Sequence, residues 1–316
     1  MTATPAGTPE TSMSSTPEQV ANLRILTKTR VLVFALKAGG TAKTSSCTSL
    51  ATIIAQRGFR VLVIDLDPQC NSSQVLGYST FREGQLGITD VMKEETELRN
   101  AVVPARYQVD DIDPENPDEA FDLIENLYIV PGNIDDADVD EAERLLNDHR
   151  NADSYWIRDG LAAMDGQWDA VLIDCPATYG RTTVTAFIAL DKNVDGEVVP
   201  PVLCTFKEAG ALVRLEKKLR EIREQRKYIT KGIAPEVKRI LACAAPNSSY
   251  GTKEHHRTLA ELEDAYGEIL LPLVHWSGEM PKIYRDDCPV PIFAPNSMPS
   301  QEYNKVATAL GFDRRR

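Results

Sequence analysis

The amino-acid sequence predicts an α/β fold with a doubly wound, mostly parallel sheet flanked by helices. Short runs of β-branched and other apolar residues alternate with stretches of helical length. The runs are apolar at every position rather than at every second one, so both faces of each strand must be covered, as in a parallel sheet between two helix layers. The predicted strands are Val31–Leu36, Val61–Ile64, Leu127–Val130, Val171–Ile173, Val202–Thr205, Ile240–Ala244 and Ile269–Leu271.

The length and composition favour one globular domain. The chain has 316 residues, of which 42% are hydrophobic, and this suits a single large α/β core. Residues 1–22 are rich in Ser, Thr and Pro, which predicts a disordered N-terminal tail. We assign residues 23–316 to the globular domain and expect an acidic, proline-containing insertion at its surface at about residues 105–125.

The charge of the chain is unevenly distributed. A formal net charge of −12 argues at first against nucleic acid as a partner, because binding to phosphates requires clustered Lys and Arg. The segment from Asp110 to Glu143, however, holds 14 of the 47 Asp and Glu residues and no Lys or Arg. The rest of the chain is therefore close to neutral, and its composition is compatible with a nucleic-acid partner.

The cysteines and the apolar runs indicate an intracellular protein. Six cysteines are scattered without a CxxC pair, and several lie inside apolar runs, which favours reduced, mostly buried thiols over disulfides or a zinc site. No run approaches the ~18 apolar residues of a membrane span. The N-terminus lacks the basic and then apolar pattern of a signal peptide. The expected location is the cytoplasm.

A glycine-containing turn, Lys37–Ser45, links the first predicted strand to a helical stretch that reaches Gln56. Such a turn aims backbone N–H groups and the positive end of the helix dipole at one point, where phosphate is stabilised. Lys43 is placed to reach the β- and γ-phosphates, and Thr44 to bind Mg²⁺ through its hydroxyl. The alternative is a strand-to-helix turn that binds nothing. The predicted nucleotide-binding residues of the turn are Gly39, Gly40, Thr41, Ala42, Lys43, Thr44 and Ser45.

Aspartates follow two further predicted strands. Asp65 and Asp67 lie one residue apart after Val61–Ile64, at the strand end where ligands bind in open parallel sheets. Asp174 ends the run Val171–Ile173 in a Walker B pattern and is placed to hold Mg²⁺ through water. The alternative for Asp67 is a turn aspartate that caps the following loop.

Taken together, these segments resemble the ParA/MinD superfamily of deviant Walker A P-loop ATPases, and most closely its ParA-type members. The resemblance covers about residues 30–312. The family pattern KGGxxK[ST] begins with a lysine that reaches across an ATP-bound dimer to the partner's nucleotide. That position is Ala38 here, and the nearest lysine is Lys37, one residue earlier. We predict that Lys37 takes over the cross-dimer role; the alternative is that this lysine is absent and hydrolysis is weakened.

The resemblance also implies roles for individual residues. Asp67 would orient or activate the attacking water, and Asp65 would lie near the Mg²⁺ shell. Ala177–Gly180 would be the switch segment that senses the γ-phosphate. Asn247 matches a position where relatives contact adenine. Relatives often carry Ile-Pro-Arg after the last strand, whereas Pro272–His275 reads Pro-Leu-Val-His, so that contribution is not expected.

A basic stretch lies in the C-terminal half. Eight Lys and Arg and three Glu occur between Arg214 and Lys231, and leucines at helical spacing mark a separate buried stripe. ParA-type proteins bind DNA non-specifically through basic residues in this half, so the resemblance implies a DNA-binding surface. The alternative is a solvated helix with internal salt bridges. The predicted DNA-binding residues are Lys217, Lys218, Arg220, Arg223 and Lys227.

The resemblance implies a slow, partner-stimulated ATPase that uses ATP and Mg²⁺ in plasmid or chromosome partition. ATP would join two protomers, the homodimer would bind DNA on the nucleoid, and hydrolysis, stimulated by a ParB-like centromere-binding protein, would release it. Two alternatives stay open: a MinD-like regulator recruited to a membrane, and a nucleotide-binding scaffold with weak hydrolysis. One short C-terminal helix and the tail Arg314–Arg316 offer too little for stable membrane attachment.

Overall fold

A mostly parallel sheet organises the chain. The computed structural model describes residues 28–109, 120–133, 155–204, 206–226 and 235–314, without the side chains of residues 206–209 and 226. Its strands are β1 (Arg30–Phe34), β2 (Val61–Asp65), β3 (Val103–Gln108), β4 (Phe121–Val130), β5 (Ala170–Asp174), β6 (Asp195–Val198), β7 (Pro201–Leu203) and β8 (Leu241–Cys243). Among the described strands, six form one sheet in the order β3-β4-β2-β5-β1-β6. Neighbouring strands are parallel except β3 and β4.

Helices cover both faces of this sheet, as predicted. Val31 and Val33 of β1 pack on one face against α4, α5 and α6, whereas Leu32 and Phe34 pack on the other against α1 and α9. Successive side chains of a strand point to opposite faces, so a strand buried on both needs an apolar residue at every position. The helices are α1 (Lys43–Gln56), α2 (Asn71–Val75), α3 (Ile88–Met92), α4 (Trp156–Ala163), α5 (Arg181–Ile188), α6 (Phe206–Arg226), α7 (Lys253–Tyr266), α8 (Val290–Phe293) and α9 (Met298–Ala309).

Two strands of the sheet were not predicted, and one predicted strand is wrong. β3 and β6 lie at the two edges of the six-stranded sheet, where part of each strand is exposed and its sequence is not continuously apolar. Ile269–Leu271 does not form a strand. Gly267–Ile269 is a 3₁₀ turn, and Leu270 joins Ile240 through one isolated parallel bridge. A three-residue apolar run can fill the core without extending a ladder.

The pair β7 and β8 forms a separate two-stranded parallel sheet that continues the main one. β6 pairs with β1, but the chain then passes through Pro200 and Pro201, which have no N–H to donate to a ladder. Val198 of β6 forms an isolated parallel bridge with Val237, just before β8, and this bridge joins the second sheet to the main one. The prolines therefore lie at the junction of two short strands, of which only β7 overlaps a predicted strand, Val202–Thr205.

Several expectations about the outer parts of the chain fall at the limits of the described residues. The expected acidic insertion includes most of β3 and the start of β4, which pair antiparallel at the sheet edge, while residues 110–119 lie outside the described ranges. The predicted tail, residues 1–22, also lies outside them.

The six cysteine side chains are buried thiols, as predicted. None of the described helices is long and apolar enough to cross a membrane.

Candidate functional site

The turn between β1 and α1 leaves open space in front of the N-terminus of α1. Gly40 (φ 70°) and Ala42 (φ 66°) are both in the left-handed region, which glycine adopts without strain and alanine does not. A Cβ added at Gly39 or Gly40 would meet no atom within 4 Å. The first N–H groups of a helix have no partner within the helix, so α1 offers donors at this opening. The turn is therefore shaped to receive an anionic group.

Lys43, the first residue of α1, holds its ammonium group at the turn. The side chain is buried, and Nζ donates to the carbonyl of Ala38 at 2.9 Å and lies 3.5 Å from Oγ1 of Thr41. Neutral oxygens compensate a buried ammonium only in part, so an anionic ligand is favoured beside it. Thr41 and Ser45 are also buried in this turn. The structure thus brings together the predicted phosphate-binding residues.

Asp174 at the end of β5 meets Thr44 and Ser72. Thr44 Oγ1 donates to Oδ2 of Asp174 at 2.7 Å, and Ser72 Oγ donates to the same oxygen at 2.8 Å. Within the described residues, Oδ1 of Asp174 is buried without a hydrogen-bond partner. A buried carboxylate oxygen is costly to leave unpaired, and hard oxygen ligands are what Mg²⁺ prefers. These residues therefore fit a Mg²⁺ ion bound with a nucleotide.

Asp65 lies directly beside Asp174, because the two residues are partners in the β2–β5 register. Burial first, and then the negative charge of Asp174, raise the pKa of Asp65 to about 8. Burial likewise raises the pKa of Asp174 to about 6, against the hydrogen bonds from Thr44 and Ser72. A nearby cation would favour both charged forms. The pair is therefore poised to gain from a bound cation.

The carboxylate of Asp65 is also committed to shaping the loop after β2. Its Oδ2 accepts from the backbone N and the Oγ of Ser73 at 2.8 and 2.6 Å, and its Oδ1 accepts from the N–H of Asp67 at 3.2 Å. Asp67 is half-buried and caps its own turn by accepting from the N–H of Gln69 at 3.0 Å. Asp67 thus forms the cap of the following loop that its alternative interpretation predicts. The roles of Asp65 in the metal shell and of Asp67 in water activation stay predictions.

Lys37 is exposed at the start of the turn, and its backbone N–H donates to the hydroxyl of Tyr179 at 3.3 Å. Tyr179 belongs to the predicted switch segment after β5. The structure therefore places Lys37 beside both the phosphate turn and the switch segment. Its proposed reach across a dimer stays a prediction.

Asn247 lies in the loop after β8. Its Oδ1 accepts from the N–H of Ser249 at 2.9 Å, and its Nδ2 donates to the carbonyl of Trp276 at 3.2 Å. Trp276 stacks on Tyr250 with ring centroids 4.7 Å apart. Both ends of the Asn247 amide are thus used to hold the loop that carries Trp276. A contact between Asn247 and a base stays a prediction.

Three side chains at the site were missed by sequence reasoning. Ser72 donates to Asp174, and Ser73 donates to Asp65. The sequence feature that could have indicated them is a pair of serines soon after the aspartate that ends β2. Tyr284 reaches the turn from a distant 3₁₀ segment. Burial raises the pKa of Tyr284, and hydrogen bonding to Ser45 and Thr44 opposes this rise, so its phenol lies beside α1. Nothing in the local sequence around Tyr284 indicates that contact.

Helix α6 carries the predicted DNA-binding residues. The predicted core stripe is confirmed, because its leucines and isoleucine are at most 3% exposed. Lys217 and Arg220 are exposed, whereas Lys218 approaches Glu221 at 4.0 Å. Arg223 is half-buried and donates to the carbonyl of Pro235 at 3.3 Å, and Lys227 lies outside the described residues. The confirmed stripe is formed by Leu212, Leu215, Leu219 and Ile222.

The family described as AAA domain matches residues 29–231. The chromosome partitioning protein ParA of Caulobacter vibrioides is 31% identical over 196 residues, which make up 61% of this chain and 63% of that protein. A Cyanothece McdA variant in complex with ATP has a TM-score of 0.70 at 16% identity, covering 92% of this chain and 99% of that one. MinD of Pyrococcus horikoshii with Mg-ADP has a TM-score of 0.64 at 19% identity, covering 89% and 96%.

These likenesses carry different weight. The structural ones are remote in sequence and establish the fold, which confirms the predicted helix-flanked, mostly parallel sheet. The aligned segment spans less than two thirds of the length of the Caulobacter relative. The family match covers most of the described chain, from just before β1 to beyond the end of α6, and includes the turn and all three aspartates. The chain belongs to the ParA/MinD family of P-loop ATPases.

Proposed function

We propose that this chain is an ATP- and Mg²⁺-dependent switch that dimerises in ATP, binds DNA non-specifically and releases it on hydrolysis, in the partition of a plasmid or chromosome. The observation that carries the proposal is the convergence of Lys43, Thr44 and Asp174 at an open glycine turn, where one buried oxygen of Asp174 has no hydrogen-bond partner in the part of the chain that the structure describes. Two similar structures are complexes, one with ATP and one with Mg-ADP, which supports a nucleotide with Mg²⁺ as the ligand here.

Each residue of the turn has a distinct task in this proposal. Backbone N–H groups and Lys43 would bind and neutralise the phosphates, while Thr44 and Asp174 would hold the metal. A Mg²⁺ ion held there would neutralise part of the phosphate charge. Asp67 orients the attacking water from the loop after β2, and Lys37 reaches the partner's nucleotide in the dimer.

The exposed charges of α6 support DNA as the partner. Lys217 and Arg220 lie at the surface, opposite the buried stripe of the helix. Binding of this kind is driven by release of counterions from phosphates and weakens steeply with salt. A ParB-like protein bound at a centromere-like site would stimulate hydrolysis in this proposal.

Membrane recruitment is the less favoured alternative. The apolar side of α9 packs inside the fold, where Tyr303, Val306 and Ala307 are fully buried against the cluster that contains α1. An interfacial helix needs its apolar face available to lipid. The second alternative, a scaffold without hydrolysis, is decided by measuring phosphate release.

The test is phosphate release with and without duplex DNA, together with sizing of the protein in ATP and in ADP. We expect turnover that requires Mg²⁺, a dimer in ATP and a monomer in ADP. The control is Lys43→Ala, which removes the ammonium at the turn. Phosphate release no faster than in this control, or no nucleotide binding by calorimetry, would contradict the proposal. DNA binding unaffected by nucleotide would contradict the switch alone.

A further inference from the structure

We propose that Tyr179 is a positioning residue that couples the nucleotide turn to helix α6. The inference rests on the proposed function and identifies the route between the nucleotide and the proposed DNA surface. Tyr179 lies between β5 and α5, five positions after Asp174. Its hydroxyl accepts from the backbone N–H of Lys37 at 3.3 Å. One side chain thus links the segment after the Walker B strand to the first residue of the turn.

The ring of Tyr179 connects the same segment to the helix layer. The ring is half-buried and lies 6.4 Å from Phe187 of α5, centroid to centroid. It packs against the apolar cluster to which α6 contributes Ala211, Leu212 and Leu215. Because packed interiors respond to displacement by moving their neighbours, a shift of this ring would be passed into the apolar cluster that α6 shares.

The positive charge of Arg214 on α6 also acts on the phenol of Tyr179. The guanidinium of Arg214 lies over Gly210, since a Cβ added at Gly210 would be 3.3 Å from Nη1 of Arg214. Burial raises the pKa of Tyr179, whereas the bond from Lys37 and the charge of Arg214 oppose the rise. Arg214 is exposed and belongs to the basic stretch. Tyr179 is therefore in electrostatic reach of Arg214, the first residue of the basic stretch that carries the proposed DNA-binding residues.

These contacts define a short physical route. A ligand at the turn changes the position of Lys37 or of the switch segment. Tyr179 belongs to the switch segment, and its hydroxyl is hydrogen-bonded to the backbone N–H of Lys37. The ring then transmits the change to the packing beneath α6. Segments that sense a γ-phosphate commonly act by such changes of order or position.

The test compares Tyr179→Phe with the matched control Tyr78→Phe. Both variants lose one hydroxyl hydrogen bond and keep the ring, and Tyr78 donates to the carbonyl of Pro104 at 2.7 Å in β3 instead. The affinity for ATP is measured by calorimetry. The affinity for a labelled DNA duplex is measured by anisotropy with Mg²⁺ and a non-hydrolysable ATP analogue, and again without nucleotide. The ratio of the two DNA affinities reports the coupling.

We expect Tyr179→Phe to bind ATP within about twofold of the wild type and to lose roughly two- to tenfold of the coupling ratio, the range expected for one net hydrogen bond. Tyr78→Phe should keep the wild-type ratio. An unchanged ratio in Tyr179→Phe, or an equal fall in Tyr78→Phe, overturns the inference alone. A wild-type ratio of one overturns both the inference and the proposed switch.

Discussion

The hydroxyl of Thr44 lies 2.7 Å from Oδ2 of Asp174, although the two residues are 130 positions apart in the chain. They meet because β1 and β5 are adjacent parallel strands, so the turn after β1 and the aspartate that ends β5 share one edge of the sheet. Ser72 donates to the same carboxylate oxygen, and the other oxygen of Asp174 has no hydrogen-bond partner among the described residues. The contact is thus a consequence of topology.

Replacing Asp174 should separate nucleotide binding from its dependence on metal. The amide of Asp174→Asn can still accept from Thr44 and Ser72 but has no negative charge for Mg²⁺. We expect the gain in ATP affinity due to Mg²⁺ to fall by roughly tenfold or more, and the affinity in EDTA to change little. Calorimetry with Mg²⁺ and with EDTA measures both. The control is Asp165→Asn, which changes an exposed aspartate near the start of β1, at the opposite end of the strands, and should behave as wild type. An equal loss of Mg²⁺-dependent affinity in this control would refute the assignment of Asp174.

The stability of the metal-free protein should depend on pH through the same pair. Burial raises the pKa values of Asp65 and Asp174 to about 8 and about 6 in the folded chain. Both folded-state values lie above the unfolded value of 3.8, so the folded chain binds more protons, and the stability falls as pH rises from about 4 until both groups are ionised at about 8. We expect the thermal midpoint to fall over this range without Mg²⁺, and to fall less in Asp174→Asn. An identical pH profile in the variant would contradict the prediction.

Ala42 should be a stability defect within the turn. Its φ of 66° is unfavourable for a residue with a Cβ, and the position before the lysine is glycine in the ordinary Walker A sequence. Ala42→Gly should therefore raise the free energy of unfolding by about 0.5–1 kcal/mol, measured by urea denaturation. The same change at Ala162, exposed in helix α4, should lower it by a similar amount. Destabilisation by Ala42→Gly would show that the strain is relieved elsewhere.

Lys37 should matter for the dimer more than for the monomer. Its side chain is exposed and its backbone, not its ammonium, bonds Tyr179. We expect Lys37→Ala to bind ATP nearly as wild type but to lose ATP-dependent dimerisation and most turnover, seen by sizing and phosphate release. Lys253→Ala, another exposed lysine, is the control. Unchanged dimerisation and turnover would mean that Lys37 does not replace the lysine missing at Ala38.

Charge reversal on α6 should weaken DNA binding in a salt-dependent way. The pair Lys217→Glu and Arg220→Glu removes two exposed cations of one helix face. We expect lower affinity in ATP and a slope of log affinity against log salt that is shallower by about 2. The matched control reverses Lys253 and Arg257 on α7. Equal losses in both variants would point to net charge rather than to this surface.

The chemistry of the turn and the four central strands could be predicted from the sequence. The turn is contiguous, so its glycines, Lys43 and Thr44 carry their meaning in their order. Strands covered on both faces must be apolar throughout, which marks β1, β2 and β5. Asp65 and Asp174 follow from the rule that parallel strands end at one edge.

The tertiary structure alone decided how the site is completed. The edge strands β3 and β6 could not be recognised from continuous apolar runs, because part of each strand is exposed and its sequence includes polar residues. Ser72 and Tyr179 gain their roles from partners about 100 to 140 positions away, which no local pattern encodes. The local sequence determines which chemical groups are present, whereas tertiary packing determines which of them come into contact.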